Sequence, residues 1–228
     1  ASLISVFLAE FFEKIFPAAK PPQVIYNTVE TDIIRKKAEE PVDDIVFEKD
    51  ETNLISVAKL MKTKGFDRLI RIQKKLLNNG YKTHIYIVGK GEEQASLEKL
   101  IRENGLENSF TLIGFRENPY KYVKNADLYV CSSKQEGFST AVTEALIVGT
   151  PVVSTNCSGA KELLGNGNEY GIVTENNENS LYNGITKMLS DKGGLEHYKK
   201  QAEIRGNKFN TEETVRAVEN MLEEVVKE

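Results

Sequence analysis

Cysteine and histidine are scarce in this 228-residue chain, two of each, and their scarcity removes several chemistries at once. Cys131 and Cys157 lie far apart and match no metal-ligand spacing, so they read as reduced thiols of a cytoplasmic protein. His84 falls in a strand pattern and His197 on a helix surface. Neither joins a Ser/His/Asp or Cys/His constellation, and no cluster has metal-site spacing. A basic excess is lacking too. The formal net charge of −4 argues against a nucleic-acid partner and against broad membrane-surface binding. Residues 2–16 carry the apolar stripe of an amphipathic helix (Leu3, Val6, Phe7, Phe11, Ile15). That stretch is too short, and through Glu10 and Glu13 too charged, to span a bilayer. It also lacks the basic start and cleavage site of a signal peptide. No repeat or low-complexity tract is present, and residues 166–168 and 175–179 read as plain polar loops.

What is present is an ordinary globular composition, 40% apolar and 28% charged, in a chain long enough to bury a core. From residue 22 onward short apolar runs alternate with helical patterns. Strands are expected over 24–26, 54–58, 83–88, 110–113, 127–131, 151–154 and 171–173. Helices are expected around Phe66–Leu77, Leu97–Ile101, Leu181–Leu189 and, near the end, Val215–Val225. This alternation predicts an α/β fold, a Rossmann-like doubly wound parallel sheet with helices on both faces. Two regions follow: a helix and linker over 1–21, and one domain over 22–228.

Such a sheet binds ligands in the crevice beyond the carboxyl ends of its strands. The expected strands end in Lys59 and Lys64-Gly65, in Gly89-Lys90-Gly91, in Phe115-Arg116, and in the loop 132–138. Lys59 and Lys64, beside a helix start, suit a diphosphate. Gly137, Phe138, Ser139 and Thr140 open a helix whose free N–H groups invite phosphate or hydroxyl oxygens, and Ser139 or Thr140 can cap it at the same time. Within that helix Glu144 is surrounded by apolar residues, as in a helix buried all round. A buried carboxylate needs a hydrogen-bonding partner, and a ligand is the expected one. Glu136 stands eight residues earlier, about 12 Å along a helix axis, a span close to that of a sugar nucleotide. Gly89-Lys90-Gly91 fails as a dinucleotide fingerprint, because Gln94 stands where a third Gly or Ala belongs. It reads as a tight turn.

Together these residues resemble the C-terminal, donor-binding half of a retaining glycosyltransferase of family 4 (group 1), with the GT-B fold. The resemblance rests on Glu136 and Glu144 with seven residues between them, on Gly149-Thr150-Pro151-Val152-Val153 and on Ser158-Gly159-Ala160-Lys161-Glu162. Ala126-Asp127-Leu128, Val88-Gly89-Lys90-Gly91, Lys64-Gly65 and Val24-Ile25-Tyr26-Asn27 add to it. The family implies roles residue by residue. Lys59 and Lys64 grip the donor diphosphate and, with Glu136 near the transferred sugar, form the catalytic set. Glu144 binds the ribose hydroxyls. Backbone N–H groups of Gly137, Phe138, Ser139 and Thr140 reach sugar and phosphate oxygens. Phe115 and Arg116 lie beside the base, with Gly89 nearby. The chain departs from the family at Ala58-Lys59, where Gly-Arg is common, and at Ser139, which replaces a frequent glycine. Lysine keeps the charge of arginine but loses its planar two-pronged grip.

The implied substrate is a nucleotide diphosphate sugar, a UDP-sugar first, with no cofactor and no metal. The implied acceptor is a glycan or a lipid-linked sugar, in a cytoplasmic protein compatible with peripheral association at the inner face of the membrane. An acceptor-binding N-terminal domain is the expected partner in such a fold, and residues 1–21 would be its remnant. Without it the chain should bind nucleotide and catalyse little. Two other readings stay open: a GT-B nucleotide-sugar epimerase, and a non-catalytic subunit that has lost its donor site.

Overall fold

A computed structural model of the chain describes residue 15 and residues 29–157, 159–190 and 192–209. The expected strand at 24–26, the helix at 215–225 and all but Ile15 of the expected first helix lie outside the described residues. Within them the elements run in chain order as α1 (Thr31–Ala38), β1 (Thr52–Val57), a 3-10 turn (Lys62–Lys64), α2 (Phe66–Asn78) and β2 (Thr83–Val88). They continue as α3 (Gln94–Asn104), β3 (Phe110–Gly114), α4 (Tyr120–Asn125), β4 (Leu128–Cys131) and α5 (Thr140–Ile147). The last are β5 (Val152–Thr155), α6 (Ala160–Leu164), β6 (Ile172–Thr174), α7 (Glu178–Ser190) and α8 (Lys192–Gly206). Among the described residues no helix is long and apolar enough to cross a membrane.

The strands form one parallel sheet in the order β3-β2-β1-β4-β5-β6. The chain winds outward from β1 through β2 to β3, then returns to β4 beside β1, where Leu54 pairs with Leu128 and Ile55 with Tyr129. The strand order therefore reverses between β1 and β4. That reversal opens a crevice between the loops that leave those two strands, residues 58–65 and 132–139.

Strand period sorts the apolar residues onto two faces. Leu54, Ile85, Ile87, Leu128 and Val130 pack with Leu69, Ile72 and Leu76 of α2, with Leu97 and Ile101 of α3, and with Leu181 and Ile185 of α7. Their neighbours Ile55, Tyr86, Tyr129 and Cys131 face the other way, against Val123 of α4, Leu146 of α5, Leu163 of α6 and Ala202 of α8. Each fully buried Leu or Ile contributes about 1.5–3 kcal/mol, so both layers are needed. In α2 the apolar period that marks the helix also buries Gln73. Its amide donates to the carbonyls of Thr83 (2.6 Å) and Ser109 (3.2 Å), clasping the starts of β2 and β3.

The short 3-10 turn after β1 hands over to α2 at Gly65, whose φ is +69°. A Cβ there would stand 2.2 Å from the carbonyl oxygen of Ser132, at the end of β4. Gly65 thus lets the two crevice loops touch. Gly80 has a similar φ of +81°, but among the described residues nothing lies within 4 Å of its missing Cβ. Left-handed strain on alanine costs about 1 kcal/mol, and forced overpacking adds about 1–3 kcal/mol. Gly80→Ala should therefore lose about 1 kcal/mol and Gly65→Ala clearly more in urea unfolding. Equal losses would mean that the close approach between the loops carries no constraint.

Candidate functional site

Three sets of backbone contacts hold the loop after β4 in place. Thr63 in the 3-10 turn accepts from the N–H groups of Lys134 (2.7 Å) and Gln135 (3.3 Å), and Ser132 Oγ donates to the Lys64 carbonyl at 2.8 Å. From the β5 side, Thr155 Oγ1 donates to the Ser133 carbonyl at 2.7 Å and Cys157 Sγ at 3.1 Å. From the β6–α7 loop, Asn176 Nδ2 donates to the Lys134 carbonyl at 2.8 Å, while its Oδ1 accepts from the buried Arg68 at 2.9 Å. The stretch 175–179, expected to be a plain polar loop, therefore supplies a strut at Asn176, and its last two residues, Glu178 and Asn179, already open α7. Nothing in its local sequence marks Asn176, because Arg68 and Lys134 come from elements more than forty residues away.

The loop after β1 is held from the other side. Leu60 N–H donates to the Lys90 carbonyl at 3.1 Å, and the Leu60 carbonyl accepts from Glu93 at 3.1 Å. A Cβ on Gly91 would fall 2.3 Å from that carbonyl. The Gly89-Lys90-Gly91 turn is thus a seat for the β1 loop, as its reading as a tight turn expects.

Between the braced loops lies a cavity of about 220 Å³. It is lined by Lys59, Lys64, Glu136, Ser139 and Thr140, with Tyr129 and Ser133. Lys59 is exposed and has no ion-pair or hydrogen-bond partner among the described residues. Lys64 does have one. Its Nζ lies 2.7 Å from both oxygens of Glu136, and Ser133 Oγ donates to Glu136 Oε2 at 2.7 Å. Glu136, at 16% side-chain exposure, is accordingly an engaged residue of the site. The two lysines line one cavity, but they are not equivalent.

Helix α5 starts at Thr140, with Ser139 as its N-cap and Ser139 Oγ accepting from Val142 N–H at 3.4 Å. The capping role expected of Ser139 or Thr140 falls to Ser139. Gly137 and Phe138 precede the helix, and the Phe138 ring sits against Gly159, 2.8 Å from where a Cβ would be. Glu136 is therefore in the loop, where helical rise does not measure its separation from Glu144. Glu144 lies about one turn into α5.

Glu144 is half-buried rather than fully buried, although Val142, Thr143, Ala145, Leu146 and Ile147 around it are buried. Its polar partner is Tyr120 Oη at 3.5 Å, the outer limit of a hydrogen bond. Burial outweighs that weak contact and raises its carboxyl to about 7. Glu144, Gly89, Phe115 and Arg116 are not among the lining residues of the cavity. Phe115 is 60% exposed, with Lys90 Nζ 5.0 Å above its ring. Arg116 is taken up by Asp44 at 2.8 Å and by the Tyr122 hydroxyl at 3.2 Å. The same Tyr122 hydroxyl and Arg116 hold the Asp44 carboxyl below its usual range.

Sequence reasoning missed Ser133, Tyr129, Arg68 and Asn176. Ser133 and Tyr129 sit in the strand and loop already singled out, so sheet-edge logic reaches them; for Arg68 no signal existed. His84 accepts or donates at Thr111 Oγ1 (2.8 Å) and stacks on Tyr86, as a structural histidine. Its Nδ1, 3.7 Å from Glu51 Oε2, has no hydrogen-bond partner among the described residues, and its ring is held below the usual pKa by burial. Both cysteines are free, and burial pushes the Cys157 thiol up. Among the described residues no group of three or more His, Cys, Asp or Glu is placed to hold a metal ion.

Residues 38–205 match the family described as "Glycosyl transferases group 1". Over 205 residues the chain is 33% identical to the N-acetylgalactosamine-N,N'-diacetylbacillosaminyl-diphospho-undecaprenol 4-alpha-N-acetylgalactosaminyltransferase of Campylobacter jejuni, covering 89% of this chain and 54% of that protein. It is 26% identical over 177 residues to the capsular polysaccharide biosynthesis glycosyltransferase CapM of Staphylococcus aureus, covering 75% of this chain and 46% of that one. The fold is similar to that of Anabaena Alr3699/HepE in complex with UDP, with a TM-score of 0.82 at 22% identity over 97% of this chain and 63% of the other. The chain spans about half the length of the first of these curated relatives.

The unusual carboxyl of Glu144 has a consequence for stability. Folded, it keeps its proton up to about pH 7, whereas its ordinary value is 4.5. Between those values the folded state binds more protons than the unfolded one, so this group lowers stability as pH rises from 4.5 to 7. Glu144→Gln should thus shrink the stability gained on going from about pH 8 to about pH 5.5, as read by urea unfolding. An identical pH difference in both proteins would show that Glu144 is well solvated.

Proposed function

Because this chain belongs to the group 1 glycosyl transferases, we propose that its crevice is the donor site of a retaining glycosyltransferase that uses a nucleotide diphosphate sugar. The observation that carries this reading is the pairing of Lys59 and Lys64 around one cavity at the reversal of strand order, beside the start of α5. Lys59, the Lys64 ammonium paired with Glu136, and helix N–H groups border there on space for an anion.

In this reading the diphosphate lies against Lys59, Lys64 and the start of α5. When the bond from the sugar's anomeric carbon to the diphosphate breaks, the electron pair leaves with the diphosphate. An acceptor hydroxyl oxygen bonds to that carbon on the same face, and the hydroxyl proton passes to the departing phosphate. The ammonium groups stabilise the charge that develops there. The transferred sugar lies at Glu136. The ribose diol donates to Glu144, whose side chain has among the described residues only the weak contact from Tyr120. Phe115 supplies an exposed ring beside the base. Lysine at position 59 retains the charge that an arginine would bring, at some loss of bidentate grip.

The whole protein transfers this sugar to a lipid-linked or growing glycan at the cytoplasmic side of the membrane. The named substrate of the C. jejuni relative, a diphospho-undecaprenol glycan, and the capsular role of CapM support that class of acceptor. Acceptor choice belongs to sequence beyond this chain, in a second domain that closes on the donor. N-acetylgalactosamine is the first sugar to try, following the same relative.

Calorimetry on the 228-residue chain with UDP and UDP-N-acetylgalactosamine tests the reading. Both should bind. Lys59→Ala should weaken UDP by about 10- to 100-fold, the ~1.5–3 kcal/mol of a hydrogen bond to a charged group. Glu144→Ala should abolish measurable nucleotide binding while leaving the thermal melt in place. No binding by the unaltered chain up to millimolar nucleotide would sink the donor-site reading in favour of a non-catalytic subunit.

A further inference from the structure

Lys64 and Glu136 form a pair that is chemically at odds with a simple anion site. Lys64 Nζ sits 2.7 Å from both carboxylate oxygens, and Ser133 Oγ adds a third hydrogen bond at 2.7 Å. The side chains are only 21% and 16% exposed, so solvent screens the pair weakly. An ammonium has three N–H donors, and both oxygens of Glu136 engage the Lys64 ammonium where the two residues line the cavity. A diphosphate must therefore compete with Glu136 for Lys64, and it meets a like charge while doing so. With Lys59 included, the cavity wall carries two cations against one carboxylate.

We propose that Glu136 is a specificity residue that competes with the donor's diphosphate for Lys64, so that the site prefers a nucleotide bearing a sugar to the same nucleoside diphosphate without one. The inference rests on the donor-site reading above. Sugar hydroxyls are donors, and at Glu136 they can replace the Lys64 ammonium hydrogen bond for hydrogen bond. The ammonium is then free to turn to the diphosphate. A bare nucleoside diphosphate brings no hydroxyl to Glu136, since its ribose diol is directed to Glu144. The carboxylate then keeps the ammonium and repels the phosphates. After transfer the product is such a diphosphate, so the same pair assists its release. Ser133 supports the exchange by holding the carboxylate in place while its other partner changes.

The test compares UDP with UDP-N-acetylgalactosamine on the wild-type chain and on Glu136→Gln, by calorimetry. Removing the competing charge should tighten UDP by about three- to tenfold, the range expected for one partly screened charge pair. The sugar nucleotide should stay unchanged or weaken, so the preference for the sugar-bearing ligand narrows or inverts. In a Lys64→Gln background the gain for UDP should vanish, because the competition runs through that ammonium. Glu136→Ala provides a second variant should glutamine disturb the loop, and thermal melts check both. Parallel weakening of the two ligands, or unchanged UDP affinity, would show a pair that only braces the loop, and would overturn the proposal. Wild-type chain that binds UDP without the Glu136→Gln gain defeats this proposal alone. Wild-type chain that does not bind UDP defeats the donor-site reading, and this proposal with it.

Discussion

Everything at the candidate site depends on the contact between two loops where the sheet reverses its strand order. β1 and β4 are adjacent but far apart in sequence, and the chain leaves them in opposite directions around the sheet. Their exits would diverge without a tie. The tie is the Thr63 carbonyl bonded to Lys134 and Gln135, the Ser132 hydroxyl on Lys64, and the bare backbone of Gly65 against Ser132. Backbone groups make most of it, so the side chains remain available for a ligand. Arg68 and Asn176 extend the brace to the far side of the loop. Such supporting contacts keep charged groups oriented before a substrate arrives, which is where much of a binding site's selectivity originates.

The electrostatics of the crevice follow from that rigidity. Glu136 and Glu144 are carboxylates of the same stretch with opposite situations. Glu136 makes three close hydrogen bonds with Lys64 and Ser133, whereas half-buried Glu144 has, among the described residues, one long side-chain contact from Tyr120. Burial raises the second because the weak Tyr120 contact offsets only part of the lost hydration. One carboxylate is thus satisfied by the protein and can be exchanged, while the other still lacks strong donors. That asymmetry suits a ligand with hydroxyls at both ends and charge between them.

Much of this was legible in the sequence. The strand at 83–88 coincides with β2, and the other expected strands within the described residues fall within two residues of their observed ends. β-branched runs bounded by glycine and proline leave little freedom there. α2 was visible because its apolar period is strong, although the buried Gln73 broke the pattern and concealed its role. Helices α1, α4 and α6 were not anticipated, and of α8 only the helical surface at His197 was. α4 and α6 are too short to show a period, and α8 begins in a Lys-Gly-Gly run with few apolar positions. At the site, the rule for strand ends brought Lys59, Lys64 and Glu136 together correctly. It could not show that Lys64 is held by Glu136, that Arg116 is held by Asp44, or that Glu144 is only half-buried. Those are side-chain choices among competing partners, and partner choice across seventy residues leaves no local trace.

The chain carries one Rossmann-like half of a GT-B architecture, and the fold likeness to Alr3699/HepE concerns that half. The proposed donor site lies at the carboxyl ends of β1 and β4. Amide chemical shifts of the 228-residue chain during titration with UDP-N-acetylgalactosamine test this most directly. The account predicts that the largest changes cluster at Lys59, Lys64, Gly65 and residues 132–144, with small ones elsewhere. Changes centred instead on the opposite strand ends, around Lys124, Gly149 and Glu203, would contradict it.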